Sequence, residues 1–320
     1  MSLSARWLGY RLALALATGW VVLTAVFAFV KFTPDPNVGL VAWSAASSGQ
    51  NATEAVQAYR ASKGTAGPVV PVYLEWMTKT VTLQWGPSLS QAGTPVTAVL
   101  RRSLSYTALY VVPAVVLSTL GGLLLGAYGA LRHRSVGDRI GTLVAYTAHA
   151  FPSFWWYGLL AFAVATPPAV EWVSAPTPPG DPETLRRMVF PTLVLTGTIL
   201  AGQVRYARSA SLEYLDSGFV DLLRAKGSGP LRVGRHVVRN ASIPLLSLFF
   251  TELLGVLVLE IYVVEAAFGI PGFGDVTLAA VNDRDMPLIL GATLVVAFVG
   301  IAANLFQDVA YRVLDPRVED

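Results

Sequence analysis

The chain has 320 residues, of which 54% are hydrophobic and 13% charged, with mean hydropathy +0.55 and a formal net charge of +3. A soluble domain of this size carries roughly a quarter charged residues, so lipid is the expected solvent for much of the chain. With no cysteine, disulfides, thiolate metal sites and cysteine nucleophiles are excluded, and the modest net charge gives no reason to expect a nucleic-acid partner.

The first apolar run, Leu12 to Val30, holds no charged residue. At about 19 residues it can cross a ~30 Å hydrocarbon core. A cleaved signal has a shorter apolar region ending in small residues; this one ends in "VFAFVKF" and is read as a retained span. Residues 31–102 form the one large polar stretch. Starting from "SAASSGQNAT", the region reads either as a flexible loop with one surface helix or as a small cap over the outer mouth, and "NAT" at Asn51 fits a glycosylation sequon that occurs often by chance. Beyond it, "PVYLEWMTKTVTLQW" predicts one amphipathic helix with Pro71 in its first turn.

Five further apolar segments follow: Ser103 to Leu131, Ile140 to Thr166, Met188 to Val204, Ala241 to Val264 and Leu288 to Gln307. The expected fold is therefore an all-α integral membrane protein of six transmembrane helices. It divides into an N-terminal helix (1–30), an external region (31–102) and a five-helix core (103–320). With the N-terminus inside, one side holds Arg6 and Arg11, then Arg132, Arg134 and Arg139, then a basic loop within 205–240, then Arg312 and Arg317. The excess of Arg and Lys places that side, and both termini, in the cytoplasm. On the other side the stretch from Glu265 to Asp285 reads as an acid-rich loop, with Arg284 its only base against Glu265, Asp275, Asp283 and Asp285. The proline-dense "TPPAVEWVSAPTPPGDPET" reads as a stiff connector.

No G-x-x-x-x-G-K-[ST] loop occurs: "AKGSGPL" and "GIPGFG" lack the lysine followed by Ser or Thr that would reach phosphate and magnesium. G-x-S-x-G and H-E-x-x-H are absent as well, so the chain is not expected to be an enzyme or to bind a metal. Gly122, Gly126 and Gly129 allow close helix packing, within the chain or against a second subunit. Glu252 and Glu260 lie inside the fifth apolar segment. An acid there costs about 2.5–3.5 kcal/mol on insertion scales. Each therefore either pairs with a polar group on a neighbouring helix or subunit, or lines a translocation path. Glu252 can also lie near enough to the interface to be hydrated.

The basic loop holds a further signal. In "YLDSGFVDLLRAKGSGP", Asp216 or Ser217 can cap a helix and Gly227 can end it, with Phe219, Leu222 and Leu223 at i, i+3 and i+4 forming an apolar stripe. A helix this short is unstable alone, so something must cover the stripe: lipid, the rest of the chain or a partner.

Here the sequence resembles a known family. "GFVDLLRAKGSGPLRVGRHVVRNASIPLL" is similar to the cytoplasmic coupling loop, the EAA-type motif, of binding-protein-dependent ABC importer permeases. "RAKG" with "RHVVRNASIP" resembles, more narrowly, the first permease subunit of dipeptide, oligopeptide and nickel importers. The likeness extends to "LQWGPSLSQAGTPVTAVLRRSLSYTALY", "AFPSFWWYGLL", "VVEAAFGIPGFGDVTLAAVNDRDMPLILGA" and "NLFQDVAYRVLDPRV".

The resemblance implies a type I (MetI-like) importer core in a prokaryotic cell membrane. Its expected companions are a homologous second permease, two ABC ATPase subunits that use ATP and magnesium, and an extracytoplasmic substrate-binding protein. It implies that Phe219, Asp221, Leu222, Leu223, Ala225, Lys226 and Gly227 form the ATPase-coupling helix. Asp221 stands at the motif glutamate, Leu222 and Leu223 replace two alanines, and Gly227 is the motif glycine; Asn240 falls where many families have a proline. Glu260 stands where such permeases tend to carry a small residue. The implied function is alternating-access passage of di- or oligopeptides; the alternative from another class is a secondary transporter using Glu252 and Glu260 for ion or proton coupling.

Overall fold

The computed structural model describes residues 5–35, 37–62, 67–150 and 177–314, with a few positions between 155 and 162. Helices α1 (Ala5–Phe32), α2 (Asn37–Ser47), α3 (Ala52–Ser62), α4 (Val69–Val81), α5 (Val96–Leu131) and α6 (Val136–Ala150) precede the undescribed stretch. After it come α7 (Pro182–Leu215), α8 (Gly218–Ala225) and α9 (Pro230–Gly255), a π-helical turn (Val256–Glu260), α10 (Ile261–Phe268), α11 (Phe273–Asn282) and α12 (Met286–Leu314). No strand occurs among the described residues.

Among the described residues, four helices are long and apolar enough to cross a membrane: Arg6–Phe29, Val96–Leu131, Pro182–Leu215 and Met286–Ala310. The bent pair Leu253–Phe268 and Phe273–Asn282 counts as a fifth if it is one span. The chain is thus an all-α, multi-pass membrane protein. Of the expected span Ile140 to Thr166, α6 supplies the first part and the remainder lies largely outside the described residues, as does most of the proline-dense connector. The expected short span Met188 to Val204 is the middle of a 34-residue helix whose polar ends continue the same ladder.

Two compact units emerge. One comprises Met1–Gly9, Arg102–Val276 and Ala302–Asp320. Within it α5 and α7 touch backbone to backbone along the glycine stripe. A methyl on Gly126 would sit 2.5 Å from Ala207 Cβ and 2.7 Å from the Val204 carbonyl oxygen, and one on Gly122 would fall on Gln203. The stripe therefore serves packing inside the chain, as small residues do where lipid gives no hydrophobic drive.

The other unit comprises Tyr10–Arg101 and Thr277–Ile301. The expected amphipathic helix is α4, which rests on α1 through Phe27 and Tyr73 (centroids 5.1 Å, edge to face) and a 2.8 Å hydrogen bond between Thr24 Oγ1 and Tyr73 OH. The preceding Ala/Ser-rich stretch is not the expected loop: it forms α2 and α3. Local caps make the difference, since a polar stretch without an apolar stripe gives no periodic signal. Asp35 Oδ1 accepts from Asn37 N (2.9 Å) at the start of α2, and Tyr59 OH on α3 donates to Asp35 Oδ2 (3.2 Å). Asn51 Oδ1 accepts from Thr53 N (3.0 Å), while its amide donates to Glu54 (3.1 Å). The sequon asparagine is a helix cap.

Candidate functional site

The short helix α8 is built as its sequence implies, with one change of face. Gly227 ends it at φ +76°, in the left-handed region. Ser228 N donates to the Leu223 carbonyl (3.0 Å) and Gly227 N to that of Arg224 (2.9 Å), which is the Schellman closure. Ser217 occupies the N-cap position, but its hydroxyl donates to the Tyr214 carbonyl (2.6 Å) rather than accepting from the helix.

The apolar residues of α8 cover an arc of about 160° at 100° per residue, too wide to be one stripe. Val220 faces inward and is fully buried with Ala127 of α5 and Val233 and Val237 of α9, flanked by Tyr214, Leu215 and Val238. Leu223 is half-buried. Phe219 and Leu222 face outward, 47% and 50% exposed. The expected stripe of Phe219, Leu222 and Leu223 therefore divides, and the residue that anchors the helix, Val220, was missed. Counting i, i+3 and i+4 finds an apolar face but not which part of a wide arc is already covered.

Phe219 is steered by aromatic neighbours, Tyr214 at 6.2 Å and His236 at 5.8 Å. Asp221 is exposed and lies 3.7 Å from Arg224, a surface pair worth little. Ala225 and Lys226 close the exposed end. Beyond the turn Leu231 is 91% exposed, the most exposed large hydrophobic side chain described. Asn240 bonds back to the His236 carbonyl (2.8 Å), so the helix passes the position where a proline was the alternative. The result is a short helix pinned by Ala127 of α5 and two valines of α9, presenting two apolar side chains alongside the exposed Arg224, Lys226 and Arg232.

Glu260 ends the π-helical turn and is half-buried. Glu252 lies in α9, its side chain outside the described part. No group of His, Asp and Glu suited to a metal occurs among the described residues.

The stretch from Glu265 to Asp285 is mostly helix, not an acid-rich loop, and two of its four acids are buried inside. Glu265 Oε1 accepts from Thr107 Oγ1 (2.6 Å) and Tyr110 OH (3.1 Å), and Oε2 accepts from Asp275 N (2.8 Å). The "GIPGFG" glycines make this possible: a methyl on Gly272 would strike the Glu265 carboxyl, and one on Gly274 would lie 3.0 Å from the Ile261 backbone. Gly269 (φ +61°) ends α10, with Ile270 N donating to the Glu265 carbonyl.

Asp285 caps α12 through Leu288 N (3.2 Å) and accepts from Ser88 Oγ (2.6 Å), Ser90 N (2.9 Å) and Ser90 Oγ (2.9 Å). Burial raises its pKa, but these donors outweigh that and leave it below the usual carboxylate range.

A further cluster joins α6 to α7. Arg208 Nε and Nη2 grip both oxygens of buried Asp138 (2.6 and 2.9 Å), and Arg134 N donates to Oδ2 (2.9 Å). The Arg208 hydrogen bond, opposed by burial and helped by Arg134 N, the Arg208 charge and His133, pulls the Asp138 pKa down to about 2.

Fold and site together define a helical, multi-pass membrane protein with no nucleotide loop in its sequence, bearing an exposed apolar helix on a connection. The chain belongs to the family of binding-protein-dependent transport system inner membrane components, whose model matches residues 122–320. It is 28% identical over 309 residues to the dipeptide transport system permease protein of Bacillus subtilis, covering 95% of this chain and 94% of that one. It is 30% identical over 267 residues to an oligopeptide transport system permease protein of the same organism (80% and 82% covered). The oligopeptide transport system permease protein of Mycobacterium tuberculosis is 29% identical over 272 residues (80% and 82%).

Proposed function

We propose that this chain is one of two homologous permease subunits of an ATP-driven importer of di- or oligopeptides in a prokaryotic cell membrane. α8 is the element that docks on an ATPase subunit. The observation that carries this is the division of α8: Val220 ties it to α5 and α9, while Phe219 and Leu222 remain outward. A push on the outer face is thereby delivered to two long helices rather than absorbed in a loose loop.

In this reading both termini and α8 are cytoplasmic, ATP and magnesium are used by the partner ATPases, and an extracytoplasmic binding protein delivers substrate. Closure of the ATPase pair moves α5 and α9 and alternates access. The peptide substrate is supported by the relatives named above, each a peptide permease. Glu252 and Glu260 are candidates for the lining of the path, and no observation favours gradient-driven coupling through them.

The test is gentle purification of the full chain from its native membrane. ATPase subunits should accompany it, and Phe219→Asp with Leu222→Asp should release them while the permease stays monodisperse. Retention of the ATPases by that variant would refute α8 as the docking element.

A further inference from the structure

Between α6 and α7 lies an open pocket of about 410 Å³, lined by His133, Arg134, Asp138, Arg139, Thr142, Leu143, Tyr146 and Arg208. Its charge is lopsided. The one carboxylate, Asp138, is consumed on both oxygens by Arg208 and the Arg134 backbone. That leaves the exposed side chains of Arg134 and Arg139 facing the pocket with no acid opposing them among its lining residues. Thr142 Oγ1, on the same wall, has no hydrogen-bond partner among the described groups.

The apolar side of the same helix continues from the pocket. Ile140, Leu143 and Val144 stand at i, i+3 and i+4, each more than half exposed, with Tyr146 beside them. A basic pocket at the head of an uncovered apolar strip matches the two ends of one molecule, an acidic headgroup and its acyl chains. Basic pockets between helices at a membrane surface hold such headgroups, and guanidinium groups suit phosphate geometry.

We propose that this pocket binds the phosphate of an anionic phospholipid, with Arg134 and Arg139 on the headgroup and Ile140, Leu143 and Val144 along the acyl chains. The Asp138–Arg208 pair is then the floor that holds α6 to α7 beneath the lipid. The inference rests on this loop lying at the membrane surface and is independent of ATPase docking by α8. A variant that loses lipid but keeps its ATPases separates the two readings.

The test uses the full chain in neutral detergent, with native mass spectrometry and thermal midpoints read after addition of phosphatidylglycerol, phosphatidylcholine or inorganic phosphate. Phosphatidylglycerol should be retained in preference to phosphatidylcholine. Arg134→Gln with Arg139→Gln should weaken that retention about thirtyfold, and Arg132→Gln, on the same loop but outside the pocket, should not. Should the double variant not fold, Arg139→Gln alone should show a smaller loss of the same sign. Equal retention of the two lipids, equal loss in Arg132→Gln, or full displacement of the lipid by inorganic phosphate would each overturn the proposal.

Discussion

Removing the Glu265 carboxyl should be among the most damaging single changes in the chain, and the reason can be divided bond by bond. Its two oxygens serve Thr107 Oγ1, Tyr110 OH and Asp275 N. In Glu265→Ala the Thr107 hydroxyl can turn to the Ser103 carbonyl, already at 3.2 Å, leaving the buried Tyr110 hydroxyl and the part-buried Asp275 amide without this acceptor. At about 1–3 kcal/mol for each orphaned group, the loss is about 2–6 kcal/mol. Glu265→Gln keeps one acceptor oxygen for the hydroxyls and turns an amide N–H toward Asp275 N, so it should cost about 1–3 kcal/mol.

Gly272→Ala attacks the same place from the other side, since its methyl would occupy the carboxyl position. In the Glu265→Ala background that space is empty, and Gly272→Ala should then cost at least about 1 kcal/mol less than in the native chain. The assay is equilibrium unfolding of the four proteins in mixed micelles. Additive costs, within about 0.5 kcal/mol, or a Gln variant as unstable as the Ala variant, would refute the assignment of Glu265 as the clamp of the α10–α11 elbow.

Three further outcomes follow from the same geometry. Gly126→Ala should force α5 from α7 and lower the thermal midpoint, whereas Gly197→Ala on α7, where an added methyl meets nothing within 4 Å, should be neutral or slightly stabilising. Val220→Asp should lower the thermal midpoint as well as ATPase association, because it buries an unpaired acid, while Phe219→Asp should spare the midpoint. The pKa of Asp138 is depressed in the folded chain, so its contribution is complete above its ordinary value of 3.8 and is lost as pH falls toward about 2. The stability gap between the native chain and Asp138→Asn should therefore be present at pH 5 and close below about pH 4, which unfolding titrations at each pH would show.

Four of the apolar spans, the amphipathic helix on residues 69–81 and the ending of α8 at Gly227 were legible because each has a local signature: length, a 3.6-residue period, or a glycine where φ must be positive. What was hidden depends on partners distant in sequence. Glu265 and Asp285 read as acids of an outer loop because nothing near them in the chain announces Thr107, Tyr110, Ser88 or Ser90. α2 and α3 escaped because their helicity rests on the Asp35 and Asn51 caps in an Ala/Ser-rich stretch that resembles a linker. Val220 escaped because the covering groups, Ala127, Val233 and Val237, lie on two other helices.

The absence of cysteine from the whole chain permits the most direct test of the central claim. Phe219→Cys and Leu222→Cys, placed singly in the assembled importer, should each form a short-span cross-link to the ATPase subunit. Leu259→Cys, exposed on the π-helical turn of the membrane segment, should not. Cross-links from both α8 positions that change in yield with bound nucleotide would establish α8 as the moving contact. Active transport with no ATPase adduct at either position would contradict it.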